Sequence, residues 1–395
     1  MPIKSKSKSA QSSEESQNFT STSMKEDGIE EKENVNNRRS NRRRAGKVEN
    51  SSLRGLDAAT DELDHIKKSK FSGSDLCSKK VRIQLASMHP MLEGEYFIDT
   101  SDTEDFYNVV FDHVFARKSG LYITGEFRVG KTKNILNSIL RLKIDLPIIY
   151  ADFFSGKRNH NQSKLSFCHD ILNSFKYYPS PHQNPIEALP RYLITKSVMT
   201  GSRTCVLFVD EAQMLTVIQL RYLLEIWNEL RREGFLLVTI LVGQNNLDFL
   251  MQLTEQQDHG AVISRFFVNK FNLGGIHSEM GLKRYLSAYD NKLFYPIESK
   301  WSYSMFFRAN AFDGGWRLES ECGRLWQALL ERSRTNIASL RKNGFRLAFI
   351  NDAIHSFLID SMKEDILSEK ESFELWRQSV SSAASNDLLI AYVPN

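Results

Sequence analysis

A glycine-rich stretch that ends in lysine and threonine is the part of this sequence best suited to chemistry. Residues Gly125 to Thr132 read Gly-Glu-Phe-Arg-Val-Gly-Lys-Thr and match the pattern G-x-x-x-x-G-K-[ST]. In such a loop, successive backbone N–H groups turn toward phosphate oxygens, and the start of the following helix adds partial positive charge. The stretch therefore predicts a polyphosphate site, with an ordinary glycine turn before a helix as the alternative.

The residues of this loop are the predicted contacts for two cofactors, ATP and Mg²⁺. Lys131 is expected to reach the β- and γ-phosphates, and Thr132 is expected to supply a hydroxyl ligand to the metal. The predicted nucleotide-binding residues in and beside the loop are Gly125, Glu126, Phe127, Arg128, Val129, Gly130, Lys131, Thr132 and Lys133.

Two adjacent carboxylates follow a second apolar segment about eighty residues further along the chain. Cys205 to Val209 is continuously apolar, as expected of a central parallel strand, and Asp210 and Glu211 come directly after it. Asp210 is predicted to be a metal residue that holds the Mg²⁺ shell, and Glu211 to orient and deprotonate the attacking water. The two acids would otherwise cap the next helix, but both motifs in this order favour ATP hydrolysis.

Three further polar residues are candidates for contact with the nucleotide. Gln244 follows the apolar run Leu236 to Val242 and is predicted to sense the γ-phosphate, with an ordinary turn as the alternative. Arg265 is predicted to reach the γ-phosphate of a neighbouring subunit, and Arg317 to reach the nucleotide from a helical lid. Each arginine has a plain surface cation as its alternative.

Two loops carry basic side chains that suit nucleic-acid phosphates. One follows the second predicted strand, and the other flanks a Thr-Gly-Ser turn. Short basic and amide side chains in loops can fix a protein on a duplex without reading its sequence, although any solvated loop has the same composition. The predicted DNA-binding residues are Lys157, Arg158, Lys164, Lys196 and Arg203.

Apolar strands that alternate with helical patterns predict an α/β fold, with an open and mostly parallel sheet flanked by helices. A small all-helical lid is predicted to follow the sheet. The predicted strands are 121–124, 147–152, 205–209 and 236–242. The predicted helices are 106–115, 133–142, 164–175, 186–199 and 216–233 beside the sheet, and 281–290, 301–309, 316–336 and 345–362 in the lid.

Composition divides the chain into a tail, two folded domains and a second tail. The first part is rich in Ser, Lys, Glu, Asn and Arg and is predicted to be disordered. Within it, Arg38 to Lys47 would attract phosphate or an acidic partner, or would simply be solvated. The apolar end at 388–393 is expected to dock. The predicted boundaries are 1–80 for the basic tail, 85–273 for the nucleotide-binding domain, 274–363 for the lid and 364–395 for the C-terminal tail.

The overall composition is that of a globular enzyme. The 395 residues are 41% hydrophobic and 25% charged. A membrane span is not expected, because the sequence has no run of about 18 apolar residues, and a signal peptide is not expected, because no apolar stretch follows the basic start. Four scattered cysteines have no zinc-like spacing, so a reduced, cytoplasmic protein without structural metal or membrane contact is predicted. Because the formal net charge is only +4, affinity for nucleic acid must come from local patches.

Four segments together resemble the AAA+ regulators of transposition called TnsC and TniB, which are relatives of the phage protein MuB. They are the loop at 125–132, the run Phe-Val-Asp-Glu-Ala-Gln at 208–213, the turn Leu-Val-Gly-Gln-Asn-Asn-Leu at 241–247, and Ile-Ser-Arg at 263–265. The resemblance covers about residues 85–360. The first two motifs occur in all such ATPases, whereas the Asp-Glu-Ala-Gln run at 210–213, the Gly-Gln-Asn-Asn-Leu turn at 243–247 and the small all-helical lid narrow the choice. Glu126, inside the loop, and the long basic tail depart from the pattern.

The resemblance implies that ATP-bound subunits assemble head to tail, as a ring or helical filament, around double-stranded DNA. The assembly would mark a target site and work with a transposase and a target-selector protein, and hydrolysis would drive disassembly. By matched position, the resemblance implies that Lys131 and Thr132 bind nucleotide, Asp210 and Glu211 serve Mg²⁺ and water, Gln244 senses the γ-phosphate, Arg265 acts in trans, and Lys157 and Arg158 line the DNA channel.

The function predicted from the sequence is therefore an ATP-dependent, sequence-indifferent DNA-binding regulator of transposition. One alternative is a replication initiator or helicase loader, which would need a sequence-reading module such as a winged helix, and no strand-containing module is predicted after the lid. The other alternative is a signalling or secretion ATPase that never binds DNA.

Overall fold

The computed structural model describes residues 75–94, 96–160, 162–332, 343–362 and 367–386. Most of the predicted N-terminal tail, including its arginine-rich segment, and the apolar C-terminal end at 388–393 lie outside the described residues. Residues Asp75–Cys77, which were assigned to that tail, form a 3₁₀ turn in which Leu76 is fully buried. The tail prediction is therefore wrong for these last residues, because an apolar side chain anchors them in a core.

Five parallel strands form one sheet in the order β2-β3-β4-β1-β5. Strand β3 lies between β2 and β4, and all of its residues are buried. This burial explains its continuously apolar sequence. The predicted α/β class, with a parallel sheet flanked by helices, is confirmed. The strands are β1 (Leu121–Gly125), β2 (Tyr150–Ser155), β3 (Thr204–Asp210), β4 (Leu236–Gly243) and β5 (Asn269–Leu273).

Nine helices precede or connect the strands, and six follow the last strand within the described residues. The first group is α1 (Lys79–Ala86), α2 (Pro90–Glu93), α3 (Ser101–Phe115), α4 (Lys131–Asp145), α5 (Lys164–Ser174), α6 (Pro185–Thr200), α7 (Val217–Arg232), α8 (Leu247–Gln256) and α9 (Gly260–Phe266). The second group is α10 (Glu279–Asn291), α11 (Tyr303–Phe307), α12 (Ala309–Asp313), α13 (Cys322–Arg332), α14 (Leu347–Ser361) and α15 (Glu369–Asn386).

Helices cover both faces of the sheet, so two apolar layers hold it in place. Helices α3 and α4 pack on one face, where Phe106 and Ile135 are fully buried with Phe208 of β3. Helices α5 to α9 cover the opposite face around Leu220 and Phe266. Because helices cover both faces of the sheet, the carboxyl ends of its parallel strands are where a site can form.

A third apolar core lies in the helical region after β5. It takes in Leu76 and Met91 from the N-terminal helices, so these residues pack with the lid helices rather than with the sheet. Helix α15 also belongs to it, since Trp376 is fully buried and stacks on Phe357 of α14 with ring centroids 3.8 Å apart. The assignment of 364–395 to a tail is therefore wrong for residues 369–386, because an apolar helix face is buried there.

Three element predictions differ from the structure for local reasons. Strand β2 begins at Tyr150 rather than 147, since Pro147 has no N–H to give to a sheet ladder. Strand β5 was not predicted, because as an edge strand it is largely polar and exposed. The helix predicted for 316–336 begins as a 3₁₀ turn, Leu318–Glu321, before α13.

Candidate active site

The glycine-rich loop connects the end of β1 to the start of α4. Gly125 has no room for a side chain, because a Cβ there would lie 2.8 Å from the carbonyl oxygen of Leu273. Gly130 has φ +98° at the N-cap of α4, a backbone conformation that favours glycine. The amino end of a 15-residue helix therefore opens onto the loop, as a phosphate site requires.

Lys131 is buried at the mouth of this loop. Its Nζ donates to the carbonyl oxygens of Gly125 at 3.1 Å and of Glu126 at 2.8 Å. Burial lowers the pKa of Lys131, while the nearby carboxylates of Glu211 and Asp210 act in the opposite direction. A polyphosphate in the loop would add negative charge beside this buried cation and would favour its charged form.

Thr132 and Asp210 lie together, as the predicted metal residues should. The Thr132 hydroxyl donates to Asp210 Oδ2 at 2.6 Å, and the backbone N–H of Glu211 donates to the other carboxylate oxygen at 2.9 Å. Burial raises the pKa of Asp210, and both hydrogen bonds act against that shift. Because no cluster of three or more His, Cys, Asp or Glu forms within the described residues, a cation here would also need phosphate and water oxygens. That donor set suits Mg²⁺, which keeps several waters and binds through few carboxylates.

Glu211 stands at the tip of β3 in a left-handed backbone conformation, with φ 49° and ψ 37°. Its Oε2 accepts a hydrogen bond from Gln213 Nε2 and a longer one, at 3.5 Å, from Gln244 Nε2. Gln244 follows β4, which lies between β1 and β3, so the carboxyl ends of these parallel strands bring Asp210, Glu211 and Gln244 to one edge of the sheet. The carboxylate can accept a proton from a water placed between it and the phosphate loop.

An arginine that the sequence analysis missed meets the loop from the helical region. Arg346 Nη2 lies 3.7 Å from Glu126 Oε2, and Asn245 Nδ2 donates to Glu126 Oε1 at 2.8 Å. The start of α14 is tied to the same loop, because the Ala348 N–H donates to the Arg128 carbonyl oxygen at 3.3 Å. Glu126, which departs from the resemblance, thus joins the loop to β4 and to the lid.

Arg317 does not have the place that was expected for a lid arginine. Its Nη1 donates to the carbonyl oxygens of Phe312 at 2.8 Å and Trp316 at 2.7 Å, and its guanidinium lies 3.6 Å from the Phe312 ring centroid. These contacts hold Arg317 in its own turn, and Arg346 is the arginine that faces the loop. Both arginines immediately precede a helical element, so sequence position gave no signal that distinguished Arg346 from Arg317.

A cavity of about 250 Å³ extends from the phosphate loop to α14. Lys133 shapes one wall, since its Nζ donates to the carbonyl oxygens of Gly94 and, at 3.0 Å, of Tyr96. On the other wall, Asn351 Oδ1 accepts from the Tyr285 hydroxyl at 2.6 Å, which leaves its amide nitrogen able to donate. The residues lining it are Tyr96, Phe97, Ile98, Arg128, Gly130, Lys133, Asn134, Tyr285, Leu347, Ala348 and Asn351. An apolar cavity with a few polar groups beside the loop suits a nucleotide base.

Arg346 meets the phosphate loop at Glu126. Replacing it with alanine should therefore weaken ATP binding about 10-fold, the effect of losing one charge-assisted hydrogen bond at the loop. Equilibrium titration with a fluorescent ATP analogue and Mg²⁺ measures this change. The matched control is Arg317→Ala, which removes an arginine of the same region and should leave the affinity unchanged. Equal losses in the two variants would contradict the assignment of Arg346 to the site.

Arg265 lies at the opposite edge of the sheet from the phosphate loop. It is in α9, its carbonyl oxygen lies beside Gly120 at the amino end of β1, and its guanidinium lies 4.7 Å from the Trp227 ring centroid. Strand β1 has five residues, so at about 3.3 Å per residue the two edges are roughly 15 Å apart. Arg265 therefore does not serve the site of its own chain in this arrangement.

The predicted DNA-binding residues also divide between the two edges. Lys157 and Arg158 are exposed after β2, in a segment whose Gly156 N–H donates to the Asp210 carbonyl oxygen at 2.7 Å. Arg203 is exposed just before β3, at the amino edge, and Lys196 lies over the Tyr192 ring near that edge. Lys164 forms an ion pair with Glu225 at 2.8 Å. The five residues therefore do not form one surface.

Comparison with known proteins gives a family match that covers strands β1 to β4. Residues 116–251 match the AAA domain family. No curated protein sequence matches the chain. Among solved structures, the chain is similar to the ORC2 protein of Aeropyrum pernix in its ADP form, with a TM-score of 0.42 and 14% identity over 71% of this chain and 67% of that one. It is also similar to domain III of the replication initiation protein DnaA of Thermotoga maritima, with a TM-score of 0.38 and 14% identity over 72% and 95% of the two chains.

The fold is an AAA+ P-loop fold with a helical region after its five-stranded sheet, and the protein is an ATPase. Nucleotide binding follows from that assignment. No helix in the described part of the chain has the length and apolar character needed to span a bilayer.

Proposed function

We propose that this ATPase is an ATP-controlled, sequence-indifferent DNA-binding regulator that assembles on duplex DNA. In this account ATP and Mg²⁺ bind between the phosphate loop, the carboxylates at the tip of β3 and the start of α14. The metal supplies electrostatic stabilisation of the phosphate oxygens when it is bound, and Thr132 and Asp210 would hold it. Glu211 orients and deprotonates the attacking water.

The observation that carries the proposal is the direct bond between the basic loop and the hydrolysis site. Gly156 donates to the carbonyl oxygen of Asp210, and a Cβ at Gly156 would lie 2.8 Å from the Glu211 carbonyl oxygen. Lys157 and Arg158 follow directly and are exposed. The backbone of the metal residue Asp210 is therefore one hydrogen bond away from the segment that carries two exposed cations, so the nucleotide state can control their placement against DNA phosphates.

Buried amides fix the base of this loop while its basic side chains stay exposed. Gln219 Nε2 donates to the side chain of Gln162 and, at 3.3 Å, to the Lys157 carbonyl oxygen. Gln162 in turn donates to Asp170 at 2.7 Å. The base of this loop is therefore held by α7 as well as by the end of β3, which suits a nucleotide-dependent contact.

Arg265 supports head-to-tail assembly in this proposal. It lies at the sheet edge away from its own phosphate loop, so the γ-phosphate that it reaches would belong to a neighbouring copy. An arginine placed in trans at the transition state can raise the rate of hydrolysis by orders of magnitude. Since such a nucleotide contacts both copies only in the assembled state, ATP binding favours assembly and hydrolysis favours disassembly.

The transposition role is the most specific part of the proposal and rests on the motif resemblance alone. In this role, the DNA-bound assembly marks a target site for a transposase and is directed by a target-selector protein. A replication initiator remains the main alternative. The region after β5 contains helices and two isolated β-bridges within the described residues, rather than the paired strands of a winged helix.

Replacing Lys157 and Arg158 together with alanine should weaken DNA binding and reduce its salt dependence, because two phosphate contacts are lost. The slope of log K against log salt should fall by about 2. Binding to a random duplex with ATP and Mg²⁺, measured by anisotropy at several salt concentrations, tests this. The matched control is Lys143→Ala with Arg332→Ala, two basic residues at the ends of other helices. An unchanged slope in the loop variant would contradict the assignment of this loop to DNA.

Electron microscopy of the protein with ATP, Mg²⁺ and plain duplex DNA tests the proposed function as a whole. Regular rings or filaments on DNA, absent with ADP, would support it. Isolated particles at particular sequences would indicate an initiator instead, and no association with DNA would indicate an ATPase that acts elsewhere.

A further inference from the structure

Gln213 connects the proposed catalytic carboxylate to the neighbouring strand. It lies two residues after Glu211, in the 3₁₀ turn Ala212–Met214. Its Nε2 donates to Glu211 Oε2, and its Oε1 accepts the backbone N–H of Gln244 at 2.9 Å. One side-chain amide thus uses its donor on the β3 tip and its acceptor on the end of β4.

The end of β4 has room for this amide only because it carries a glycine. A Cβ at Gly243 would lie 2.5 Å from Gln213 Oε1 and 3.3 Å from the Gln213 backbone nitrogen. Real Cβ atoms essentially never approach so closely, so a side chain at 243 would push the amide away. The contact between Gln213 and the end of β4 therefore depends on glycine at position 243.

Without this amide, the Glu211 carboxylate would have little to fix its direction. Its backbone has the left-handed conformation at the end of a strand, and the side chain extends from that turn. Among the described residues, both amide contacts of the carboxylate are to Oε2, one from Gln213 and a longer one from Gln244. That arrangement holds Oε2 and directs Oε1 elsewhere, as a base that must meet a water in one position requires.

We propose that Gln213 is a positioning residue for ATP hydrolysis, which ties Glu211 to β4 and so aims the free carboxylate oxygen at the attacking water. The proposal rests on the proposed role of Glu211 as the base. The Gln213 amide donates to Glu211 and accepts from the Gln244 backbone N–H. It acts through Glu211, and its loss should slow the chemical step without weakening ATP binding.

Three variants test whether the two hydrogen bonds of the Gln213 side chain, rather than its size, affect the hydrolysis rate. Gln213→Met keeps the length of the side chain and loses both hydrogen bonds, so kcat should fall about 10-fold while KM for ATP changes less than about twofold. Gln213→Glu keeps the acceptor but places a second carboxylate against Glu211, so kcat should fall about 100-fold. Gly243→Ala displaces the amide without removing it and should lower kcat in the same direction. It also serves if the methionine variant folds poorly.

A double-mutant cycle with Glu211→Gln decides whether Gln213 acts through Glu211. Single-turnover hydrolysis is measured for the wild type, for each single variant and for the double variant. If the inference is right, Gln213→Met slows the wild type about 10-fold but changes the rate of the Glu211→Gln protein less than about twofold. An equal loss in both backgrounds, a rise in KM with unchanged kcat, or a wild-type kcat in Gln213→Met would overturn it.

The same cycle distinguishes a failure of the proposed role of Gln213 from a failure of the proposed role of Glu211, on which it depends. If Glu211→Gln is inactive and Gln213→Met is fully active, only the role of Gln213 fails. If Glu211→Gln hydrolyses ATP at the wild-type rate, the role of Glu211 as base fails, and the role of Gln213 fails with it.

Discussion

Replacing Lys131 with alanine is expected to remove measurable ATP binding and hydrolysis. The lysine is buried at the mouth of the phosphate loop, where its ammonium donates to two backbone carbonyl oxygens of that loop. It is therefore the fixed positive charge that would face the β- and γ-phosphates. Losing a charged hydrogen bond of about 3 kcal/mol corresponds to about 100-fold in affinity. The loss of transition-state stabilisation adds to that in the rate.

Equilibrium binding of a fluorescent ATP analogue and steady-state phosphate release measure the two effects. Lys143→Ala is the matched control, since this exposed lysine lies in the last turn of the same helix. It should retain wild-type affinity and rate. Wild-type affinity in the Lys131→Ala protein would show that the nucleotide binds elsewhere.

Replacing Glu211 with glutamine should leave ATP binding intact and lower the hydrolysis rate by about 10²- to 10⁴-fold, the contribution of a general base. Glutamine has nearly the same shape, so the contacts with Gln213 and Gln244 can be re-formed, but it cannot accept the water proton. The variant should therefore accumulate in the ATP-bound state. On DNA, it should keep the assembled form that the wild type loses after hydrolysis.

The ratio of bound ATP to ADP after long incubation, together with the lifetime of the DNA complex, measures this effect. Glu255→Gln, at an exposed glutamate near the end of α8, is the control and should behave as wild type. Hydrolysis at the normal rate in Glu211→Gln would assign the base to another residue.

The hydrolysis side of the site could be predicted because its residues follow strands with a strong apolar pattern. Asp210 comes after a run whose every residue is buried, and Gly125 ends another such strand. Parallel strands must place their carboxyl ends along one edge, so two local patterns were enough to bring Thr132 and Asp210 within hydrogen-bond distance. No tertiary information was needed for that step.

The lid side could not be predicted in the same way, because its contacts depend on how the helical region packs. Arg317 and Arg346 each precede a helical element, and sequence position alone favours neither. The packing decides it: Arg346 faces Glu126, while Arg317 is held by carbonyl oxygens of its own turn. Recognition of the lid arginine thus required the tertiary arrangement.

Polar or interrupted elements were missed for a related reason. Strand β5 is formed by residues 269–273, of which only Leu273 is buried, so its pairing with β1 rather than its pattern makes it a strand. Helix α15 has a low overall hydrophobic content, yet it buries Trp376 completely. In both cases a partner surface supplies the stability that local propensity does not.

Saturable binding of ATP in the presence of Mg²⁺ is the most direct test of the central claim that the phosphate loop, the β3 carboxylates and the start of α14 form one nucleotide site. Calorimetric titration of the full chain should give one site per chain, with affinity lost in Lys131→Ala and weakened in Arg346→Ala. A folded protein that takes up no ATP, or that binds it equally well in all three forms, would contradict the account.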